Sequence, residues 1–289
     1  MNIERFFELF LAELETGKSL WSYYKFHADP GSFEFRKAYF CQRLQYIADH
    51  APEPGSPIWD VGCGYGTTAI FLALNGHRVH GTTLEFYEKE LPGRIRYWSQ
   101  FGDVSGFTYD YEDVFDEHVQ YGTFRSIIVQ DTLHHLEPLP EALGILGKHL
   151  DPDGEIIVIE ENGNNIIQSL KLYKQRGNKR VIEFHDERLN KTILLGNENI
   201  RSLSHWSREF EQQGLTIDSS SVQYVRALPP AMFKHLGYEK AIAREQRLWR
   251  SIPLMREYFF FGVNFIAKHT AASAQHPSTV SSVKSAAVL

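Results

Sequence analysis

Cysteine is almost missing from this chain: its 289 residues hold two, Cys41 and Cys63. Two thiols cannot build the disulfide framework of a small secreted domain, so free thiols in a reducing compartment are expected. Long apolar runs are missing as well. None approaches the ~18 residues of a membrane span, and no secretory pattern opens the sequence. The expectation is a soluble, cytoplasmic protein without stable membrane insertion. Nucleic-acid-type Lys/Arg clusters are also absent, and a formal charge of −6 disfavours a polyanionic partner. The one short basic stretch, residues 171–180, is interleaved with Leu172, Tyr173 and Gly177 and reads as a solvated helix face. His134, His135 and His185 follow no metal-ligand spacing, so no metal is expected.

What the chain does contain is a glycine turn of unusual regularity. A short apolar strand, residues 57–61, ends in Asp60-Val61-Gly62-Cys63-Gly64-Tyr65-Gly66, and a helical run over 67–75 follows. Glycine at every second position lets the backbone turn sharply and lets a ligand approach the main chain. This spacing differs from the Gly-x-Gly-x-x-Gly of dinucleotide folds and disfavours a nicotinamide-dependent oxidoreductase. Four further segments follow in order. They are a strand over 78–85, a strand and acidic loop over 107–114, and an apolar strand over 124–130 running into Asp131-Thr132-Leu133-His134-His135. The last is a turn, Leu150-Asp151-Pro152-Asp153-Gly154, leading into a strand over 155–159.

In order and character these five segments resemble the class I S-adenosylmethionine-dependent methyltransferases. The resemblance implies an α/β fold. Its Rossmann-like, seven-stranded, mostly parallel sheet would carry helices on both faces, an antiparallel last strand and an N-terminal helical lid. It implies S-adenosyl-L-methionine as cofactor, with Asp60, Gly62, Cys63, Gly64 and Gly66 around its methionine portion. Thr83 stands where the family places a ribose-binding carboxylate; Glu85 lies two residues on, and Thr83, Leu84 and Glu85 all fall in the ribose region. The Thr-Leu pair is similar to that of the cyclopropane-fatty-acid-synthase branch. Asp110 would accept from the adenine amine, Tyr111 would cover a ring face, and the main chain of Gln130 would meet the methionine portion. Tyr24, with Tyr23, would close over the cofactor, where an aromatic face suits a sulfonium.

The N-terminal residues 1–50 read as the lid, with Ile3, Phe6, Phe7, Phe10, Leu11 and Leu14 at helical spacing. An aromatic connection follows, and then a second helix from about 33 to 49 with Ser32 able to cap it. Residues 51–269 read as the methyltransferase domain, with acceptor-pocket insertions at about 160–201 and 229–253. Residues 270–289 read as a disordered tail. The acceptor expected is a small molecule or lipid-like, since Trp21, Tyr23, Tyr24 and Phe26 in the lid and Met232, Phe233, Leu236, Tyr238 and Trp249 in the late insertion are apolar. O-methylation is the leading expectation; C- or N-methylation and a catalytically silent cofactor-binding subunit are the alternatives. A hydroxyl acceptor must lose a proton, and His135 is the first candidate base, with His134 and Glu161 behind it. Oligomeric state is open.

Overall fold

Phenylalanines at helical spacing open the chain and dictate its first layer. In the computed structural model, which describes residues 1–26, 30–84, 86–116 and 122–270, they form α1 (Ile3–Thr16), burying Phe6, Phe7, Phe10 and Leu14. Asn2 caps this helix by accepting from the Arg5 N–H. The aromatic connection after Gly17 is itself a short helix, α2 (Lys18–Tyr24), closed by Lys25 in the left-handed region. Next comes α3 (Phe33–His50). Ser32 stands at its N-cap position but makes no side-chain capping bond there.

The half that carries the glycine turn runs mostly strand to helix: β1 (Pro57–Val61), α4 (Thr67–Ala73), β2 (Arg78–Thr83), α5 (Leu91–Trp98), β3 (Phe107–Tyr111), β4 (Phe124–Gln130), α6 (Leu139–His149) and β5 (Leu150–Glu161). The remainder is α7 (Ile166–Arg176), the hairpin β6 (Val181–Asp186) and β7 (Lys191–Gly196), α8 (Leu203–Gln212), β8 (Leu215–Val225), α9 (Pro230–Leu236), α10 (Tyr238–Ser251), α11 (Pro253–Phe259) and β9 (Gly262–His269). The described part of the expected tail is Thr270 alone; residues 271–289 lie outside the described residues.

Seven strands join in the order β3-β2-β1-β4-β5-β9-β8. β1 to β5 run parallel, and β9 lies antiparallel between β5 and β8. Strands buried on both faces need apolar residues at every position, and β1, β4 and β5 show how these divide. Ile58, Ile128, Ile157 and Ile159 pack with α1, α3, α4 and α5. Trp59, Val61, Ile127, Val129, Ile156 and Val158 pack with α6 and α8 on the other face. So α1 and α3 pack as a layer of the sandwich, while α2 and one side of α3 border cavities. The order reverses between β1 and β4, the switch point where ligands bind in open α/β sheets.

Candidate functional site

A cavity of about 460 Å³ opens at the carboxyl ends of β1, β2 and β4. Its floor is the glycine turn, and the three glycines serve different ends. A Cβ on Gly62 would stand 2.4 Å from the Thr132 side chain, and one on Gly66 2.9 Å from Leu91 and Phe107. The protein's own packing demands those two. Gly64, at φ +52°, faces only the ring of Tyr87 at 3.8 Å, so space is left for something else. Cys63 packs its sulfur against Gly81 of β2 and gives its N–H to the Thr82 carbonyl at 2.9 Å.

Asp60 lies behind this turn, 3% exposed, with Oδ2 buried and without a hydrogen-bond partner. Burial pushes its carboxyl up to about 7. The amides of Cys63 and Gly66 go to backbone carbonyls instead. Asp60 does not itself line the cavity; it directly precedes Val61, the first lining residue of the turn, and its orphaned oxygen is chemically suited to a cationic ammonium.

Four tyrosines ring the turn. Tyr23 meets Tyr24, Tyr65 and Tyr87 at 4.9, 5.1 and 5.5 Å between centroids, and Tyr65 meets Tyr87 at 4.4 Å. The Tyr24 hydroxyl shares a 2.7 Å hydrogen bond with Thr67. Tyr65 and Tyr87 were not legible as site residues, because neither belongs to a periodic pattern. The turn is also braced from below. Arg94 of α5 donates to both carboxylate oxygens of Glu13 on α1, at 2.8 and 2.7 Å, and to Thr67 Oγ1 at 2.7 Å. Its Nη1 also donates to the Tyr65 carbonyl.

Thr83 and Leu84 line the cavity, whereas Glu85 lies outside the described residues. The structure places Asp110 and Tyr111 away from it. Asp110 is more than half exposed, 3.6 Å from His80 Nε2, and the Tyr111 hydroxyl donates to Asp186 at 2.7 Å beneath Arg188. Glu112, Asp113 and Val114 border the cavity in their stead. Along β3 the lining starts only past its last pair, Thr83 with Tyr111, where the chain turns toward the cavity.

Beyond β4, Gln130 lines the cavity and accepts from the Thr68 hydroxyl at 3.0 Å. Asp131, at φ +50°, pairs with Arg43 of α3. His134 is buried: its Nδ1–H donates to Glu160 at 2.6 Å, and its Nε2 stands 3.8 Å from Glu198. Burial opposes its charge, yet the charge and hydrogen bond of Glu160, with Asp131 and Glu198, push the ring up to about 9. In that charged form the ring holds no free lone pair for a base. His135 is the reverse. Burial and the neighbouring His134 charge hold it below the usual imidazole range. Its Nδ1–H donates to the Gly196 carbonyl at 2.8 Å, which leaves the Nε2 lone pair free, and the residue lines the cavity. The β6–β7 hairpin thus fixes this ring, and it also supplies Leu195 to the wall. Glu161 does not join the histidines; it accepts from Arg226 at 2.6 Å and lines neither this cavity nor the one beside it.

A second cavity of about 320 Å³ adjoins the first and shares Tyr23, Tyr24, Arg43, Thr67, Thr68 and Gln130 with it. Its further walls are Phe26, Phe35, Tyr39, Phe40, Leu44 and two more arginines, Arg36 and Arg226. The rings of the late insertion do not reach it: Phe233 packs under α3 beside Ala38 and Ala241.

A family model described as a methyltransferase domain matches residues 32–220, well over half of the chain. This chain belongs to that family. It is a class I S-adenosylmethionine-dependent methyltransferase domain. Similar folds occur in magnesium protoporphyrin IX methyltransferase from Synechocystis, solved with bound S-adenosylhomocysteine, at 15% identity and a TM-score of 0.50, covering 79% of this chain and 80% of that one. The YcgJ protein from Bacillus subtilis is 13% identical with a TM-score of 0.52, covering 80% and 99%. Phosphoethanolamine N-methyltransferase 2 from Haemonchus contortus, in complex with S-adenosyl-L-methionine, is 16% identical with a TM-score of 0.53. There, 79% of this chain aligns with 52% of that longer one. At such identities the likeness is one of fold alone. A search among curated proteins finds no significant match.

Proposed function

We propose that the methyltransferase binds S-adenosyl-L-methionine over the glycine turn and methylates, at oxygen, a small-molecule or lipid-like acceptor held in the adjoining cavity. The observation that carries this reading is the meeting of the two cavities at Tyr24, Thr68, Gln130 and Arg43, beyond the ends of β1 and β4. Two ligands meeting there have a common wall across which a group can pass. In the same reading Asp60 and Gly64 face the methionine portion, Thr83 and Leu84 the ribose, and Asp113 with Val114 the adenine.

Bound S-adenosylmethionine supplies an electrophilic methyl group on a sulfonium. The chain's task is to align the acceptor with that methyl and to exclude water, since displacement at carbon needs a straight approach. Tyr23, Tyr24, Tyr65 and Tyr87 form an aromatic surround suited to a cation. The fixed tautomer of His135 presents Nε2 to take a hydroxyl proton. Phe26, Phe35 and Phe40 suit an apolar acceptor body, and the arginines suit an oxygen-bearing edge.

Isothermal titration with S-adenosylmethionine and with NAD, followed by a tritium methyl-transfer screen of hydroxylated aromatics and fatty acids, tests the proposal. Binding of the first cofactor alone and a labelled O-methyl product are expected. Label on carbon or nitrogen removes the oxygen assignment. Absence of S-adenosylmethionine binding removes the whole reading.

A further inference from the structure

The basic stretch that read as a solvated face carries an apolar face in the fold. On α7 only Leu172 is buried. Ile166, Ile167, Leu170 and Tyr173 are 60%, 67%, 55% and 57% exposed. At 3.6 residues per turn these four fall on one side of the helix. Contiguous exposed apolar side chains of this kind mark an interaction surface rather than scattered surface residues. The charge around them is one-sided. Residues 166–182 contain Lys171, Lys174, Arg176, Lys179 and Arg180 and no acidic residue, in a chain of net charge −6.

A polar pocket of about 230 Å³ opens beside this face, with Tyr173 common to both. Arg176, Arg180, Arg201 and His205 line it and no carboxylate does. Arg201 is held from outside the pocket by Glu137 at 2.6 Å, and the Nε of Arg176 is buried without a hydrogen-bond partner. We propose that α7 docks the methyltransferase on an anionic phospholipid surface, with its apolar side in the headgroup–acyl boundary and a lipid phosphate in the arginine pocket. The chemistry agrees on both counts. Aliphatic side chains at the centre of a cationic helix gain from acyl chains, while the flanking lysines extend toward the headgroups. A second copy of this chain is a poorer occupant, because an isologous contact would set five cations against five. No helix among the described residues is long and apolar enough to cross a membrane, so the attachment is peripheral.

Flotation of the full chain with vesicles tests this directly. Binding to vesicles of equal parts phosphatidylcholine and phosphatidylglycerol is expected, with little binding to phosphatidylcholine alone and release at high salt. Ile167→Ser with Leu170→Ser, and separately Lys171→Glu with Lys174→Glu, should each weaken partitioning by roughly tenfold or more. All four side chains are exposed, so thermal midpoints and S-adenosylmethionine affinity should not change. Arg176→Gln should weaken binding to the charged vesicles and leave the apolar contribution. Equal binding to both vesicle types, no binding, or binding indifferent to these substitutions overturns the proposal. So does retention of inorganic phosphate without vesicle binding, or a dimer in ultracentrifugation that Leu170→Ser dissolves.

Discussion

Two residues on one turn, Gly64 and Asp60, are under different pressures and predict different failures. Gly64→Val places a branched side chain at φ +52°, where only glycine is comfortable, and fills the open side of the turn. Loss of S-adenosylmethionine binding in calorimetry is expected with a modest loss of stability. Gly62→Ala, which collides with Thr132, should instead lower the melting temperature sharply; a Gly64→Val protein that binds normally would remove the turn from the site. Asp60 makes a pH prediction. Its carboxyl, raised to about 7 by burial, must be ionised to hold an ammonium group. Cofactor affinity should therefore fall as pH drops below about 7, by up to tenfold per unit, and Asp60→Asn should both weaken binding and flatten that dependence. An unchanging wild-type affinity between about pH 5 and pH 8 would falsify the pairing. His135→Ala should lower turnover on the acceptor found in the screen by ~10² or more and leave cofactor affinity nearly intact. Because burial and His134 hold the His135 ring below the usual ~6.5, the acid limb of the rate profile should lie below that value. A limb at or above it, or an active His135→Ala enzyme, leaves alignment as the chemistry.

Elements differ in how far they could be read from the chain, and burial explains the difference. β4 was legible in full because Ile127, Ile128 and Val129 are buried on alternate faces, leaving an apolar run bounded by polar residues. α2 was not legible as a helix, because Leu20 is its only buried residue and a seven-residue element with one anchor shows no period. The shift from Asp110 to Asp113 at the cavity escaped the sequence because it depends on where β3 lets go. The Arg43–Asp131 pair escaped it because its partners are 88 residues apart. The brace between α1 and α5 is in the same position: Glu13 and Arg94 lie on surfaces that only the packed layer brings together, 4% and 3% exposed in their side chains. Removing one partner of a buried, doubly hydrogen-bonded pair leaves a charge without its counterpart. Glu13→Gln should cost about 3 kcal/mol in urea unfolding and weaken cofactor binding, since Arg94 also holds Thr67 and the Tyr65 carbonyl. A variant as stable as wild type would reduce the brace to a contact.

For the whole molecule, the five segments in order carried a resemblance that implied a seven-stranded, mostly parallel sheet with an antiparallel end, and that sheet is present. Cavities were another matter. The second one is assembled from α2, α3, β4 and the end of β8, and no local pattern announces such a meeting. Ligand linkage gives a global test of the same site. At a hundredfold excess over its dissociation constant, a ligand specific to the native state adds about 2.7 kcal/mol. S-adenosylmethionine should raise the melting temperature by about 4 °C for a chain of this size, and NAD should not. A shift with NAD instead would return the glycine turn to the dinucleotide class.

The stacking of Phe6 on Trp98, 4.4 Å between centroids, and the reach of Glu13 to Arg94 have a consequence for synthesis. The chain is made from its amino terminus, so α1 leaves the ribosome before any of α5 exists. At ~5–20 residues per second, the interval from Glu13 to Trp98 is roughly 4–17 s. During that time Phe6 lacks the Trp98 ring and the Glu13 carboxylate lacks Arg94, the partners that bury them from the far side. The first helix therefore completes its burial only when α5 arrives, and until then its stability rests on earlier rings such as those of α2 and α3.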